Sequence, residues 1–264
     1  MQWIYLSPHL DDVAFSCGGL VRQQIENGAT ASIWTICAGD PPSGKLSDFA
    51  EELHSRWETR EDATRSRRLE DILSCKFLGA TYRHLPIPDC IYRKANQDYW
   101  RDLGEVDGLE ISTQPNFLYC TREALFGQVD PGETKLVQDL TDYFVKEIPA
   151  TAEVVCPLTV GSHVDHRLTR SAAEELRKPL WYYADFPYTL EISGWLEQLE
   201  TIGWKKYLFK ITSDSLLAWQ RATEAHQSQI STFWQSAAEM RNELQAYTDT
   251  IGGITLWKPP VSCV

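Results

Sequence analysis

The chain opens Met1-Gln2-Trp3-Ile4-Tyr5-Leu6-Ser7-Pro8-His9-Leu10-Asp11-Asp12-Val13-Ala14-Phe15-Ser16-Cys17-Gly18-Gly19-Leu20. The apolar run from Trp3 to Leu6 reads as a buried strand that stops at Ser7-Pro8. His9, Asp11 and Asp12 follow at once, and a small-residue segment then opens a helix. Groups able to bind a metal or move a proton therefore stand at the carboxyl end of a first strand, where open α/β sheets place their active sites. A second cluster, His163-Val164-Asp165-His166, follows the apolar run Val154-Val155-Cys156-Pro157. Two strand ends, each delivering His and Asp, read as the two halves of one metal site.

Working outward, residues 17–27 read as a helix stopped by Gly28. Thr30 to Ala38 is apolar and β-branched, the pattern of a buried parallel strand. Gly39 to Gly44 is a loop, Phe49 to Phe77 a long helical region ended by Gly79, and Tyr82 to Leu85 a third strand. Strand and helix thus alternate, which predicts a doubly wound, mostly parallel sheet. Residues 132–147 read as a helix before the strand Glu153–Pro157, and His166 to Arg177 as the next helix. Trp181-Tyr182-Tyr183 is a short strand, and Asp185-Phe186-Pro187-Tyr188 a loop. Trp204 to Ile211 reads as an edge strand and Leu216 to Tyr247 as a long helical stretch, with Gly252-Gly253 leading into a short tail. There is no internal repeat or composition break, so residues 1–264 read as one domain. Its one irregular stretch, about 86–130, holds three prolines and several aromatic residues, as a site-covering insertion would.

The 264 residues and 43% hydrophobic content support a sizeable core. A formal net charge of -12 argues against non-specific nucleic-acid binding, which needs a basic face. It leaves room for a small-molecule substrate of either sign, because a pocket sets its own potential. The seven cysteines include no C-x-x-C pair, which fits a reducing, cytoplasmic setting better than a disulfide framework. The first residues lack the basic start of a signal peptide. No run approaches the roughly 18 apolar residues of a membrane span.

His nitrogens and Asp oxygens suit Zn²⁺ and other first-row divalent ions. Such an ion lowers the pKa of bound water and polarises a carbonyl. A neighbouring carboxylate can act as general base and a cationic His as an oxyanion stabiliser. His9 and Asp12 are three apart, so both can face one point where the chain turns into a helix. His163 and His166 are also three apart, so one can bind metal while the other points at substrate. Spacing alone leaves open which does which.

These residues resemble a known family. Pro8-His9-Leu10-Asp11-Asp12 together with Gly161-Ser162-His163-Val164-Asp165-His166 is similar to the paired motifs of the LmbE/PIG-L metal-dependent N-acetylglucosaminyl deacetylases. Arg67-Arg68-Leu69-Glu70-Asp71 with Leu78-Gly79-Ala80 resembles that family's Arg-x-x-Glu helix. Ala225-His226-Gln227-Ser228-Gln229 resembles its His-x-Ser-Gln segment. The resemblance implies a Rossmann-like three-layer fold with the site at the strand carboxyl ends. It implies a zinc-dependent hydrolase that removes the N-acetyl group from an N-acetylglucosamine-type sugar or glycoconjugate. It implies His9, Asp12 and His166 as ligands, Asp11 as general base, and a protonated His163 as the oxyanion-stabilising residue. Asp165 would orient a ligand, and Arg67, His226 and Asp185 would touch substrate. Leu10 and Val13 depart from the commoner His-Pro-Asp-Asp-Glu form, as in a bacterial branch less tied to one substrate.

Other readings compete. Asp11 or Asp12 could simply cap the helix that follows, and an Arg-rich helix around Arg67 is by default a solvated face. His54 and His84, with no partner cluster, read as structural. The same site could serve an amidase acting on another N-acyl conjugate or an acylated natural product. A nucleotide-binding Rossmann protein needs Gly-x-Gly-x-x-Gly where His-Leu-Asp-Asp stands. A silent binding module would not need the full set of ligands and proton-transfer groups. Self-association into a homo-oligomer is left open.

Overall fold

In the computed structural model, residues 1–56, 63–95, 97–99, 117–191 and 194–260 are described. Trp3 and Tyr5 of strand β1 (Gln2–Ser7) point to one face of a sheet, and Ile4 and Leu6 to the other. A strand apolar on both sides must be covered on both sides. β1 pairs in parallel with β2 (Thr30–Thr35) and β4 (Glu153–Pro157). β3 (Thr81–His84) and β5 (Leu180–Tyr183) extend the parallel set. β6 (Lys205–Phe209) and β7 (Ile254–Lys258) are antiparallel additions. The order is β3-β2-β1-β4-β5-β7-β6.

Helices cover both faces. In chain order they are α1 (Asp12–Glu26), α2 (Asp48–Arg56), α3 (Ala63–Leu78), α4 (Arg122–Leu125), α5 (Thr134–Glu147), α6 (Val164–Glu174), α7 (Tyr188–Glu191), α8 (Trp195–Thr201), α9 (Ser213–Glu224), α10 (Gln227–Phe233) and α11 (Ala237–Ile251). α1, α3, α9 and α11 pack on the Trp3–Tyr5 face. α5, α6 and α8 pack on the Ile4–Leu6 face through Leu136, Leu140, Phe144, Leu168 and Leu199. The result is the three-layer α/β fold that the alternation of strands and helices predicts. Strand order reverses between β1 and β4, so the chain segments leaving these two strands border the crevice where such sheets bind ligands.

Several boundaries differ from the sequence reading, for local reasons. α1 begins at Asp12, five residues early, so the motif aspartates stand at its first turn. α1 is kinked at Cys17 (φ -152°, ψ 21°), where Trp219 Nε1–H donates to Ala14 C=O at 2.6 Å. A Cβ on Gly18 would lie 2.7 Å from the Trp219 ring, so only glycine lets α9 come this close. The helical region expected over 49–77 consists of α2 and α3, with part of the join outside the described residues. The stretch 216–247 is three helices, broken at His226 (ψ 56°) and again at Trp234. The expected tail is strand β7, which lies between β5 and β6. The expected insertion falls partly outside the described residues. Its described parts include a 3-10 turn at Cys90–Tyr92, α4, and residues up to the Pro131–Glu133 turn.

Candidate metal centre and active site

The turn after β1 is tied by its own polar atoms. The Ser7 hydroxyl donates to His9 C=O at 2.6 Å and accepts the Val13 N–H at 3.2 Å. Asp12 Oδ2 accepts the His9 N–H at 2.7 Å. These bonds bring the His9 ring over the first turn of α1, with Nδ1 3.2 Å from Asp12 Oδ2. Its other nitrogen, Nε2, lies 2.9 Å from Asp165 Oδ2. A carboxylate can only accept, so Nε2 donates to Asp165, while Nδ1 faces Asp12.

The segment after β4 reaches the same point. Thr159 and Ser162 hold positive φ (both 66°), Gly161 shares that region (φ 83°), and Ser162 N–H closes a turn on Thr159 C=O at 3.0 Å. A β-branched residue at positive φ is uncommon and costs energy that the surrounding contacts must offset. The turn delivers His163 as the N-cap of α6, with Nδ1 accepting the Asp165 N–H at 3.2 Å. One residue on, His166 is buried. Its Nδ1 lies 2.6 Å from Asp185 Oδ1, and its Nε2 makes no hydrogen bond and lies 3.4 Å from Asp12 Oδ1.

The structure therefore brings His9, Asp12 and His166 together, and their outer atoms are already occupied. Burial opposes charge on both rings, but Asp12 and Asp165 raise His9 well above its ordinary value. Asp12 and Asp185 raise His166 to about 10. The same pairing, against burial, holds Asp12 well below the usual carboxylate range. One nitrogen each of His9, His163 and His166 lies within 4.8 Å of the others. His163 differs from the other two in a telling way. Its Nδ1 is committed as an acceptor, so the neutral ring carries its proton on Nε2 and presents a donor. Burial and the neighbouring His9 lower its pKa to about 4. Without a bound ion the ring is thus neutral, where the sequence reading has it protonated.

Asp185 is also corrected. Expected at the substrate rim, it is 1% exposed, with Oδ1 on His166 and Oδ2 accepting the Val160 N–H at 2.8 Å. It is an orienting carboxylate because the Asp185-Phe186 segment is drawn inward: Phe186 N–H donates to the Ser16 hydroxyl at 3.1 Å.

The α3 side of the site has another character. Asp11 is buried, with Oδ2 3.4 Å from Arg67 Nη2. Burial raises its pKa to about 6, with Arg67 pulling down and Asp12 pushing up. Arg67 Nε is buried without a hydrogen-bond partner. His226 is 1% exposed, packs edge-on to Phe15, and has no partner for either ring nitrogen. Burial and the Arg67 charge lower its pKa to about 3, so it is neutral. α3 and α10 are clamped beside it, with Glu70 accepting the Ser228 N–H at 2.9 Å and the Ser228 hydroxyl at 2.6 Å.

Some site residues were not anticipated. Asp89 follows β3 and lies 3.7 Å from His9 Nε2. Its signal was the end of a third strand, Leu85-Pro86-Ile87-Pro88-Asp89, without a histidine to draw attention. Phe126 packs edge-on to His163 at 5.6 Å between centroids. Arg93 is fully buried, 2.5 Å from Asp165 Oδ1 and 2.5 Å from Glu133 Oε1. Breaking one partner from such a pair costs roughly 3–5 kcal/mol. His84, read as partnerless, lies 2.7 Å from Asp71.

The donor set fits a divalent ion. The partnerless Nε2 of His166 and the Nδ1 of His9 each face one oxygen of Asp12. Each ring is backed by a carboxylate on its far nitrogen, the arrangement that orients metal-binding histidines. Fold and site together define an open α/β sheet with a candidate divalent-metal centre at its strand carboxyl ends. Residues 4–176 match the family model PIG-L, GlcNAc-PI de-N-acetylase, and the chain belongs to that family. A 2'-N-acetylparomamine deacetylase of Niallia circulans is 26% identical over 220 residues, 77% of this chain and 72% of the relative. One of Streptomyces fradiae is 27% identical over 190 residues, 70% of this chain and 57% of the relative. The zinc-inhibited form of teicoplanin deacetylase Orf2 superposes with a TM-score of 0.73 at 25% identity, covering 98% of this chain and 97% of that one. The family makes this chain a deacetylase, a hydrolase of N-acetyl amide bonds. No helix among the described residues is long and apolar enough to cross a membrane.

Proposed function

We propose that the chain removes the acetyl group from the nitrogen of an N-acetylated amino sugar or sugar conjugate, with zinc held by His9, Asp12 and His166. The observation that carries this reading is the convergence of those three side chains, with Asp165 and Asp185 behind the two rings. Bound there, a divalent ion supplies Lewis-acid polarisation of the acetyl carbonyl and acidifies a water ligand. Asp11 takes the proton of the attacking water; a pKa of about 6 leaves it ionised at neutral pH yet basic enough to act. His163 Nε2–H donates to the oxyanion as it develops. Asp11 then returns the proton to the departing amine. Arg67 and His226 bind the sugar's polar groups. This division of imidazole roles is supported by the far nitrogens: His9 and His166 face carboxylates there, His163 a backbone N–H.

The relatives' names give the substrate panel its starting point. Metal-stripped protein, with and without added Zn²⁺, is offered 2'-N-acetylparomamine, teicoplanin-type glycoconjugates and simple N-acetylglucosaminides, with released acetate quantified. Zinc-dependent acetate release from at least one is expected. No release from any of them in the zinc-loaded protein, or equal release without metal, overturns the reading.

A further inference from the structure

We propose that Arg93 is a positioning residue for the metal centre, fixing Asp165 so that Asp165 can fix His9. The proposal rests on reading His9 as a ligand. Asp165 is fully buried and backs the His9 ring. Its Oδ2 takes the His9 Nε2–H at 2.9 Å and the Cys90 N–H at 3.2 Å. Its Oδ1 faces Arg93 Nη1 at 2.5 Å. The hydrogen bonds at Oδ2 and the Arg93 charge at Oδ1 together restrict how the carboxylate rotates, and the His9 ring inherits that restriction.

Arg93 is itself held from the far side. Its Nε and Nη2 donate to Glu133 at 2.5 and 3.3 Å, and Nη1 also donates to Pro88 C=O at 3.3 Å. Glu133 is anchored by the Tyr119 hydroxyl, which donates to Oε2 at 2.6 Å and accepts the Asp130 N–H at 2.8 Å. Tyr119 also lies under the guanidinium, 5.5 Å from ring centroid to Cζ. One planar cation thus spans two buried carboxylates, one behind the metal centre and one in the connection between β3 and α5. Only a fork with donors on several edges can serve both at once; an ammonium is a single point. The connection is thereby wired to the orientation of His9.

The test titrates Zn²⁺ into metal-stripped protein against a chromogenic chelator, for the native chain, Arg93→Lys, Asp165→Asn and the double variant. Circular dichroism and the melting midpoint of each metal-free form are measured alongside. Arg93→Lys and Asp165→Asn are each expected to weaken Zn²⁺ binding by roughly 10- to 100-fold. The double variant should be no weaker than the worse single one, because both act through one contact. If Arg93→Lys does not fold, Arg93→Met with Glu133→Leu removes both charges on that side, and the same readings apply. A folded Arg93 variant with native Zn²⁺ affinity and only a lowered melting midpoint overturns the proposal, as does full multiplication of the two single effects. A native chain that binds no Zn²⁺ overturns the metal-centre reading itself, and the proposal with it.

Discussion

The two sides of the site are built on opposite terms. Behind His9 and His166 the far nitrogen of each ring meets a buried carboxylate: Asp165, ion-paired with Arg93, on one ring, and Asp185, which accepts the Val160 N–H, on the other. On the α3 side, Arg67 Nε and both nitrogens of His226 are buried with none. A buried polar group left unpaired costs roughly 1–3 kcal/mol, so a fold tolerates a cluster of them only where something else completes the bonds. On the first side each ring is held by a buried carboxylate. The second is complete only with a polar ligand in place. On the proposed function, rigidity for the ion and open hydrogen-bonding capacity for the substrate are segregated within one crevice.

The sharpest way to break this division is at Asp11, which borders both sides. Asp11→Asn is expected to keep native metal content and lose about 10²- to 10⁴-fold in kcat; metal analysis beside acetate release reads both. Next comes His163→Ala, expected to cost about 10²- to 10³-fold in kcat with metal content unchanged. Loss of metal in that variant would move His163 to the ligand side and erase the distinction drawn from its capped Nδ1. Asp185→Asn tests the saturated side: Zn²⁺ affinity should fall roughly 10- to 100-fold in chelator competition, with KM for substrate little changed. His226→Phe tests the open side, keeping the ring against Phe15 and removing the nitrogens. KM should rise about 10-fold with kcat nearly native.

The smallest effect is a displacement along the pH axis. Asp11 must be ionised to act, and burial has raised it to about 6. kcat/KM should therefore fall about tenfold per pH unit below that value and level off above it. The Arg67 charge lowers the Asp11 pKa, so Arg67→Met should move this limb to higher pH. A limb that stays put would separate Asp11 from its neighbour across the divide.

The saturated side was largely legible in the sequence because its groups are packed into two short runs, each directly after an apolar strand. His9, Asp12, His163, Asp165 and His166 declare themselves by type and spacing. Asp185 was found but given the wrong place, since an Asp-Phe-Pro-Tyr turn looks exposed until Ser16 is seen to draw Phe186 inward. Arg93, Glu133 and Tyr119 carried no signal, because a buried ion pair between distant segments has no period and no motif. The parallel strands were legible as continuous apolar runs. β7 was not: five residues after a Gly-Gly pair look like a tail, and only tertiary pairing with β5 and β6 makes them a strand. The helical stretch after residue 216 kept its period through two breaks, so periodicity concealed the turn that sets His226 at the site.

The position of β7 constrains the order in which this molecule can be made. Asp185 follows β5 directly, and one edge of β5 finds its hydrogen-bonding partner only at Leu256 and Trp257. A polypeptide emerging from the ribosome therefore carries Tyr182 and Tyr183 on an open, sticky border until synthesis has passed residue 257, and such borders invite pairing with other chains. The carboxylate behind His166 lies just past that border, two residues after Tyr183.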